Sequence, residues 1–304
     1  MIVITGTKRS GTSMWMQILQ AGGIKVLGSA FTKTWKETIE AANKRGFYES
    51  RFRRGIYYAT NPNPKTGRWL SPRASRNFGV KIFVPGVIRS DVVYLSRVVG
   101  SVRPWQQYVS SLNRLYQMEK EGHEAKGSGE FLSPHLDPVL EWWTENFLLV
   151  RDFTTRRYPS RLVSYEAMLN DPEKLCTALF EWFGEGDAKE AMRAIHPEDR
   201  TQHAKSEEAP KHRFAEVFED YHDRILNEKS FDEAFLEKMN ETHVALLPEI
   251  DAALIELGKK VSQVKARRAE AYEAGTLEKR DNSGPTELNP DRLDALLHPE
   301  SERE

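Results

Sequence analysis

The chain holds a single cysteine, Cys176, among 304 residues. That excludes an intramolecular disulfide framework and a cysteine-rich zinc site. Cys176 lies in an apolar helical stretch and reads as core. No apolar run reaches the ~20 residues needed to span a bilayer. Residue 1 leads straight into a strand, without a charged leader or a secretory apolar segment, so a soluble, cytoplasmic protein is expected. The formal net charge is -1, which supplies no bulk field toward nucleic acid or a membrane surface but leaves room for a local basic site. None of the eight histidines has metal-ligand spacing, and no metal is expected. No internal repeat is present, and the length suits one sizeable core with an appended tail.

A further absence is more informative. Residues 1–5 read as a short buried strand, and Gly6, Thr7, Lys8, Arg9, Ser10, Gly11, Thr12 and Ser13 follow before an amphipathic run opens at Met14. Strand, glycine-bounded loop and helix make the layout of a P-loop, in which backbone N–H groups and the positive end of the helix hold a phosphate. The nucleoside-triphosphate version carries Lys directly after the second glycine. Here that position is Thr12, and the cations come earlier, at Lys8 and Arg9. This arrangement points away from ATP or GTP hydrolysis and toward a ligand whose transferable group meets a cation from the front of the loop.

Strands are expected at residues 24–27, 80–84, 97–102 and 161–164, and helices at 11–21, 34–44, after Pro104, at 139–153 and after Asp171–Pro172. Residues 59–79, rich in Pro, Asn, Gly and Arg, read as an exposed loop or lid, and 122–135 as a second loop. Strands alternating with helices, and apolar on both faces, predict an α/β fold: a P-loop-type parallel sheet flanked by helices, with a mostly helical C-terminal part. Residues 1–258 form the expected main domain, and 259–304 a charged helical, then disordered, tail.

With these pieces in place the sequence resembles the sulfotransferase family. Arg9, Ser10, Gly11, Thr12 and Ser13 are similar to its 5'-phosphosulfate loop, a basic residue followed by S-G-T-[ST]. Gly46, Phe47, Tyr48 and Glu49 resemble the G-[FY]-[FY]-E element of many bacterial members. Arg103, Pro104 and Trp105, with Ser111 eight positions after Arg103, resemble the 3'-phosphate segment. Ser164 to Pro172 resembles the Y-E-x-[LM]-x-x-D-P stretch, with Phe183 and Gly184 after it. Together these cover residues 1–186. Two features depart from the pattern: Gln106 stands where the 3'-phosphate segment has a second Arg, and the late R-K-G-x-x-G loop is absent.

The resemblance implies sulfuryl transfer from 3'-phosphoadenosine 5'-phosphosulfate (PAPS) to a hydroxyl or amine of a small-molecule or glycan acceptor, leaving adenosine 3',5'-bisphosphate. It implies that Lys8, Arg9, Ser10, Gly11, Thr12, Ser13, Arg103, Ser111 and Tyr165 bind the donor. Arg9, helped by Lys8, would stabilise the leaving oxygen. Glu49 is the first candidate for general base and His203 the second, with His212 nearby in the same stretch.

Some of this stands on physical grounds alone. An Arg at the carboxyl end of a parallel strand, as at Arg103, lies beside the crevice where open α/β sheets bind ligands, and its planar fork suits a terminal phosphate. Ser111, about two turns further on, is placed off the Trp105–Tyr108–Leu112 stripe and can donate to the same group. Arg97 is placed at the start of its strand, away from the mouth. Glu166 reads as structural, and Trp142 and Trp143 as core. Two other classes stay open: a P-loop nucleotide-dependent kinase or NTPase, and a non-catalytic nucleotide-binding protein.

Overall fold

The computed structural model describes residues 1–28, 30, 46–64, 66–125, 127–196 and 210–275. The expected helix at 34–44 and the tail beyond 275 lie outside them. The order of elements begins β1 (Ile2–Gly6), α1 (Thr12–Ala21), β2 (Val26–Leu27), β3 (Gly79–Lys81), α2 (Val84–Arg89) and β4 (Arg97–Val102). It continues with α3 (Trp105–Ala125), α4 (Pro138–Arg156), β5 (Ser160–Ser164), α5 (Tyr165–Asn170), α6 (Pro172–Phe183) and α7 (Ala188–Met192). The last two are α8 (Ala215–Leu226) and α9 (Glu233–Glu273).

The strands form one five-stranded sheet in the order β2-β3-β1-β4-β5, and every pairing is parallel. β1 is central and wholly buried, as an uninterrupted apolar strand must be when helices cover both faces. The chain turns to one side of β1 for β2 and β3 and to the other for β4 and β5, so a crevice opens beyond its carboxyl end. The register sets Gly6 beside Ser101, and Val102 beside Ser164. Gly6, Lys81, Arg103 and Tyr165 therefore sit at or just after the same edge of the sheet.

On one face, α1, α6 and α7 pack Trp15, Ile18, Leu19, Leu179 and Phe180 against Ile2, Ile4 and Val99. On the other, a second core joins α3, α4, α8 and α9. Its centre is Phe218, whose ring lies 5.0 Å from Trp143, 5.4 Å from Trp142 and 5.8 Å from Trp105. Trp142 also ties this core to the sheet edge, because its indole N–H donates to the Arg103 carbonyl at 2.9 Å. Cys176 is buried, as its apolar surroundings suggested.

Several expected boundaries move. The run at 80–84, read as all strand, divides: β3 ends at Lys81 and α2 begins at Val84. Pro85 explains the division, since its fixed φ suits a first helical turn and it has no N–H for a sheet ladder. Residues 165–170, without a helix in the sequence reading, form α5, capped by Ser164 Oγ, which accepts from the Glu166 and Ala167 amides. The segment 59–79 is irregular but is not a free lid. Asn61 Nδ2 donates to the Tyr94 hydroxyl at 2.7 Å, that hydroxyl donates to Leu70 O at 2.7 Å, and Leu70 N donates to Asn61 Oδ1 at 2.8 Å. Asn61 and Leu70 are both buried, which pins the segment to the body. α9 runs unbroken through the boundary expected at 258, and Arg268 near its end donates to Phe131 O. No helix among the described residues is long and apolar enough to cross a membrane.

Phe218→Ala should remove the ring that all three indoles contact, and destabilise the protein by ~3–5 kcal/mol. Val244→Ala, on an exposed face of α9, should stay within about 0.5 kcal/mol of the parent. Denaturant unfolding of both variants checks the contrast, and equal effects would mean the aromatic cluster is not the organising core.

Candidate functional site

The loop from Gly6 to Ser13 is shaped by close packing. Gly6 has φ 142°, and a Cβ there would lie 2.3 Å from the Ser101 carbonyl oxygen. Gly11 has φ 91°, and a Cβ there would lie 2.6 Å from the Tyr165 ring. Both positions therefore require glycine, for conformation and for space. Ser10 is buried: its hydroxyl donates to Thr7 O at 2.7 Å, and Ser101 Oγ donates to Ser10 O at 2.6 Å. The middle strand and its neighbour thus hold the loop backbone directly.

Thr12 and Ser13 are the first residues of α1. Gly11 supplies no side chain to cap that helix, and the first turn carries no acidic residue. The amino end of α1 keeps its partial positive charge facing the crevice, which suits an anion.

Arg9 adopts a left-handed backbone (φ 63°), uncommon for a residue with a side chain. Its Nε donates to Ser111 Oγ at 3.3 Å. Burial lowers the guanidinium pKa from its ordinary value, opposed by Tyr165. Arg103 Nη1 donates to Arg9 O at 3.2 Å, and the Arg103 guanidinium lies 4.8 Å from the centre of the Tyr165 ring. Behind it, Arg103 Nε donates to Gln107 Oε1 at 3.4 Å and Gln107 Nε2 to Glu166 Oε1 at 2.7 Å. Arg9, Arg103, Ser111 and Tyr165 thus make one cluster, although they come from four separate segments. Ser111 is buried rather than clear of the apolar stripe, because it stands three residues after Tyr108, on the edge of that face, where Arg9 covers it. Glu166 serves the internal network, the structural role expected of it. Arg97 is far from this edge in the register, at the start of β4, and donates to Trp182 O at 2.6 Å.

Glu49 is not a surface acid. It is 5% exposed, 3.5 Å from Lys81 Nζ and 3.7 Å from Arg53 Nη1. Lys81 Nζ also donates to Phe47 O and, at 3.4 Å, to Ser13 Oγ. Ser13 Oγ in turn donates to Phe47 O at 3.3 Å. Burial lowers the pKa of Lys81 from its ordinary value, and Glu49 partly offsets this. Sequence reasoning missed Lys81. The available signal was a cation inside an apolar strand, since a buried charge needs a partner close by.

Lys8 is turned toward α4, where it pairs with Glu141 at 2.9 Å. His212 packs against Phe218 with ring centres 5.0 Å apart, and burial lowers its pKa. His203 lies outside the described residues. The edge of the sheet therefore gathers Arg9, Arg103 and Lys81 around an uncapped helix terminus, with Glu49 beside them.

A scan against protein-family models finds no match, and no curated protein matches the chain significantly.

Lys81→Met should strand Glu49 in a buried site with Arg53 as the one remaining cation partner among the described residues, at a cost of about 3–5 kcal/mol. Adding Glu49→Gln in the same chain should recover much of that loss. A double-mutant cycle by chemical denaturation measures it, and independent, additive effects would show that the two groups are not coupled.

Proposed function

We propose that the protein is a sulfotransferase with a P-loop-type donor site, moving a sulfuryl group from PAPS to a hydroxyl or amine of an acceptor. The observation that carries this reading is the meeting of Arg9 with Ser111 and of Arg103 with the Arg9 carbonyl. The resemblance assigns Arg9 to the 5'-phosphosulfate and Arg103 with Ser111 to the 3'-phosphate. A donor with anionic groups at both ends of one nucleoside needs those segments side by side.

The residues present fit such a donor. Gly6 and Gly11 let the loop pack directly on Ser101 and the Tyr165 ring, which keeps its backbone in the cradle shape. The uncapped amino end of α1, with Thr12 and Ser13, would hold the 5' end. Arg103 and Ser111 would hold the 3'-phosphate, and the Tyr165 ring, stacked under Arg103, would fix that guanidinium in place. Bound there, PAPS supplies an activated sulfur: the acceptor attacks it, the bond from sulfur to the bridging oxygen breaks, and adenosine 3',5'-bisphosphate leaves with the electron pair. Arg9 stabilises charge growing on that oxygen. Lys81, held next to Ser13, is better placed to assist than Lys8, which Glu141 retains. Glu49 takes the acceptor proton: it borders Lys81, and its Oε2 has no hydrogen-bond partner among the described residues.

A magnesium-dependent kinase is the second reading, and Lys81 beside the start of α1 favours it by providing a lysine for terminal phosphates. Against it, the strand ends flanking the loop present Lys81, Arg103 and Ser164 where a magnesium ion would need a carboxylate. The carboxylates beside the loop are both engaged, Glu49 by Lys81 and Arg53 and Glu141 by Lys8.

Thermal unfolding with adenosine 3',5'-bisphosphate, and separately with ATP plus magnesium, distinguishes the two. The bisphosphate should raise the melting temperature by mass action. A shift with ATP and magnesium alone would replace the sulfotransferase reading with the kinase one. Arg9→Ala should then lower turnover by about 10²–10³-fold with a much smaller loss of bisphosphate affinity. A parent protein that binds the bisphosphate but turns over no acceptor would be a binding module instead.

A further inference from the structure

Beside Lys8 lies a cleft of about 290 Å³. Its walls are apolar: Pro85 of α2, Pro134 before α4, Leu148 of α4 and Leu257 of α9. Its polar end is formed by Glu141 and Glu145, one turn apart on α4, together with Lys8. Lys8 is committed to Glu141, which also accepts from the Tyr116 hydroxyl at 3.3 Å. No described residue donates a hydrogen bond to Glu145. Two carboxyl groups therefore share one cation. Two hydroxyls nearby also lack a hydrogen-bond partner among the described residues: Thr144 Oγ1, in the cleft wall, and that of Tyr108, fully buried within the field of the same carboxyl groups.

We propose that this cleft binds an organic ammonium, a primary or secondary amine on a compact apolar body. Lys8, which borders the cleft, belongs to the loop that would hold the donor in the sulfotransferase reading. The preference for a cation rests on the cleft alone. An anion would meet two carboxyl groups and a lysine that is already neutralised. A neutral alcohol would fill the apolar part and hydrogen-bond at the polar end, but would bring no charge to pair with a Glu145 carboxylate. An ammonium supplies the missing charge at Glu145 and donors for Thr144, while its hydrocarbon body covers the prolines and leucines.

Burial, and then the charge of Glu141, push the Glu145 carboxyl up to about 8, with Lys8 opposing. The other titratable groups facing this end are Tyr108 and Tyr116 of α3, both raised chiefly by burial, and His135, stacked on Tyr116 and 3.2 Å from Glu119. With the cleft empty, Glu145 keeps its proton at neutral pH. A bound cation favours the carboxylate, so binding at pH 7 releases a proton, and affinity rises with pH until Glu145 is ionised on its own.

Titration calorimetry of the full chain with cyclohexylamine and with cyclohexanol tests this. The amine should bind at least tenfold more tightly, and at pH 7 its heat should vary with the ionisation heat of the buffer, showing proton release. Glu145→Gln should reduce the amine to the level of the alcohol and abolish the buffer dependence. Equal binding of amine and alcohol to the parent protein overturns the proposal without any substitution, and so does unchanged amine binding in Glu145→Gln. Adenosine 3',5'-bisphosphate titrated into the same samples separates the two levels. Amine binding without bisphosphate binding leaves the cation site standing and removes the sulfotransferase reading. Bisphosphate binding without amine preference removes only the cation site.

Discussion

The parallel pairing of β1 with β4 is the constraint from which the site follows. It sets Gly6 against Ser101, so close that the loop can leave the sheet only through a residue without a side chain. It also delivers the Ser101 hydroxyl to the Ser10 carbonyl and brings Arg103 onto the loop backbone. β3 and β5, paired on either side, add Lys81 and Tyr165 at the same edge. No single segment contains this arrangement; the parallel direction of the strands collects it.

Much of that frame could be read directly from the residues. β1 and β4 are apolar on both faces, and such runs fit only a sheet covered on both sides. Asp171 and Pro172 open α6 and Gly184 closes it, each with a local physical reason. Arg97 and Arg103 were separable because strand direction alone puts one at each end of β4. Less was legible where tertiary contacts override local pattern. The 80–84 run is apolar throughout, and apolarity alone does not separate strand from helix; Pro85 was the deciding residue. Residues 59–79 have loop composition, yet Asn61 and Tyr94 satisfy each other's polar groups in the interior, which composition does not reveal. The burial of Ser111 and the role of Lys81 were hidden for the same reason, since they depend on partners distant in the chain, Arg9 for the first and Glu49, Phe47 and Ser13 for the second.

The two sides of the crevice carry different electrostatic characters. On the β3 side, Lys81 and Arg53 surround one carboxylate, Glu49, leaving a local excess of positive charge. On the α4 side, Glu141 balances Lys8, and Glu145 adds negative charge only when it gives up its proton. A molecule lying across the mouth of the loop meets a field that is positive at one end and close to neutral at the other. Such a gradient orients a dipolar or mixed-charge ligand before any close contact forms.

The left-handed backbone at Arg9 has a consequence for affinity. That conformation is unfavourable in isolation, yet contacts at Ser111, Arg103 and Ser101, all within the chain, hold the turn in it. The entropy of ordering the turn is thus lost when the chain folds, not when an anion arrives. For the donor proposed above, association would then retain more of its electrostatic gain.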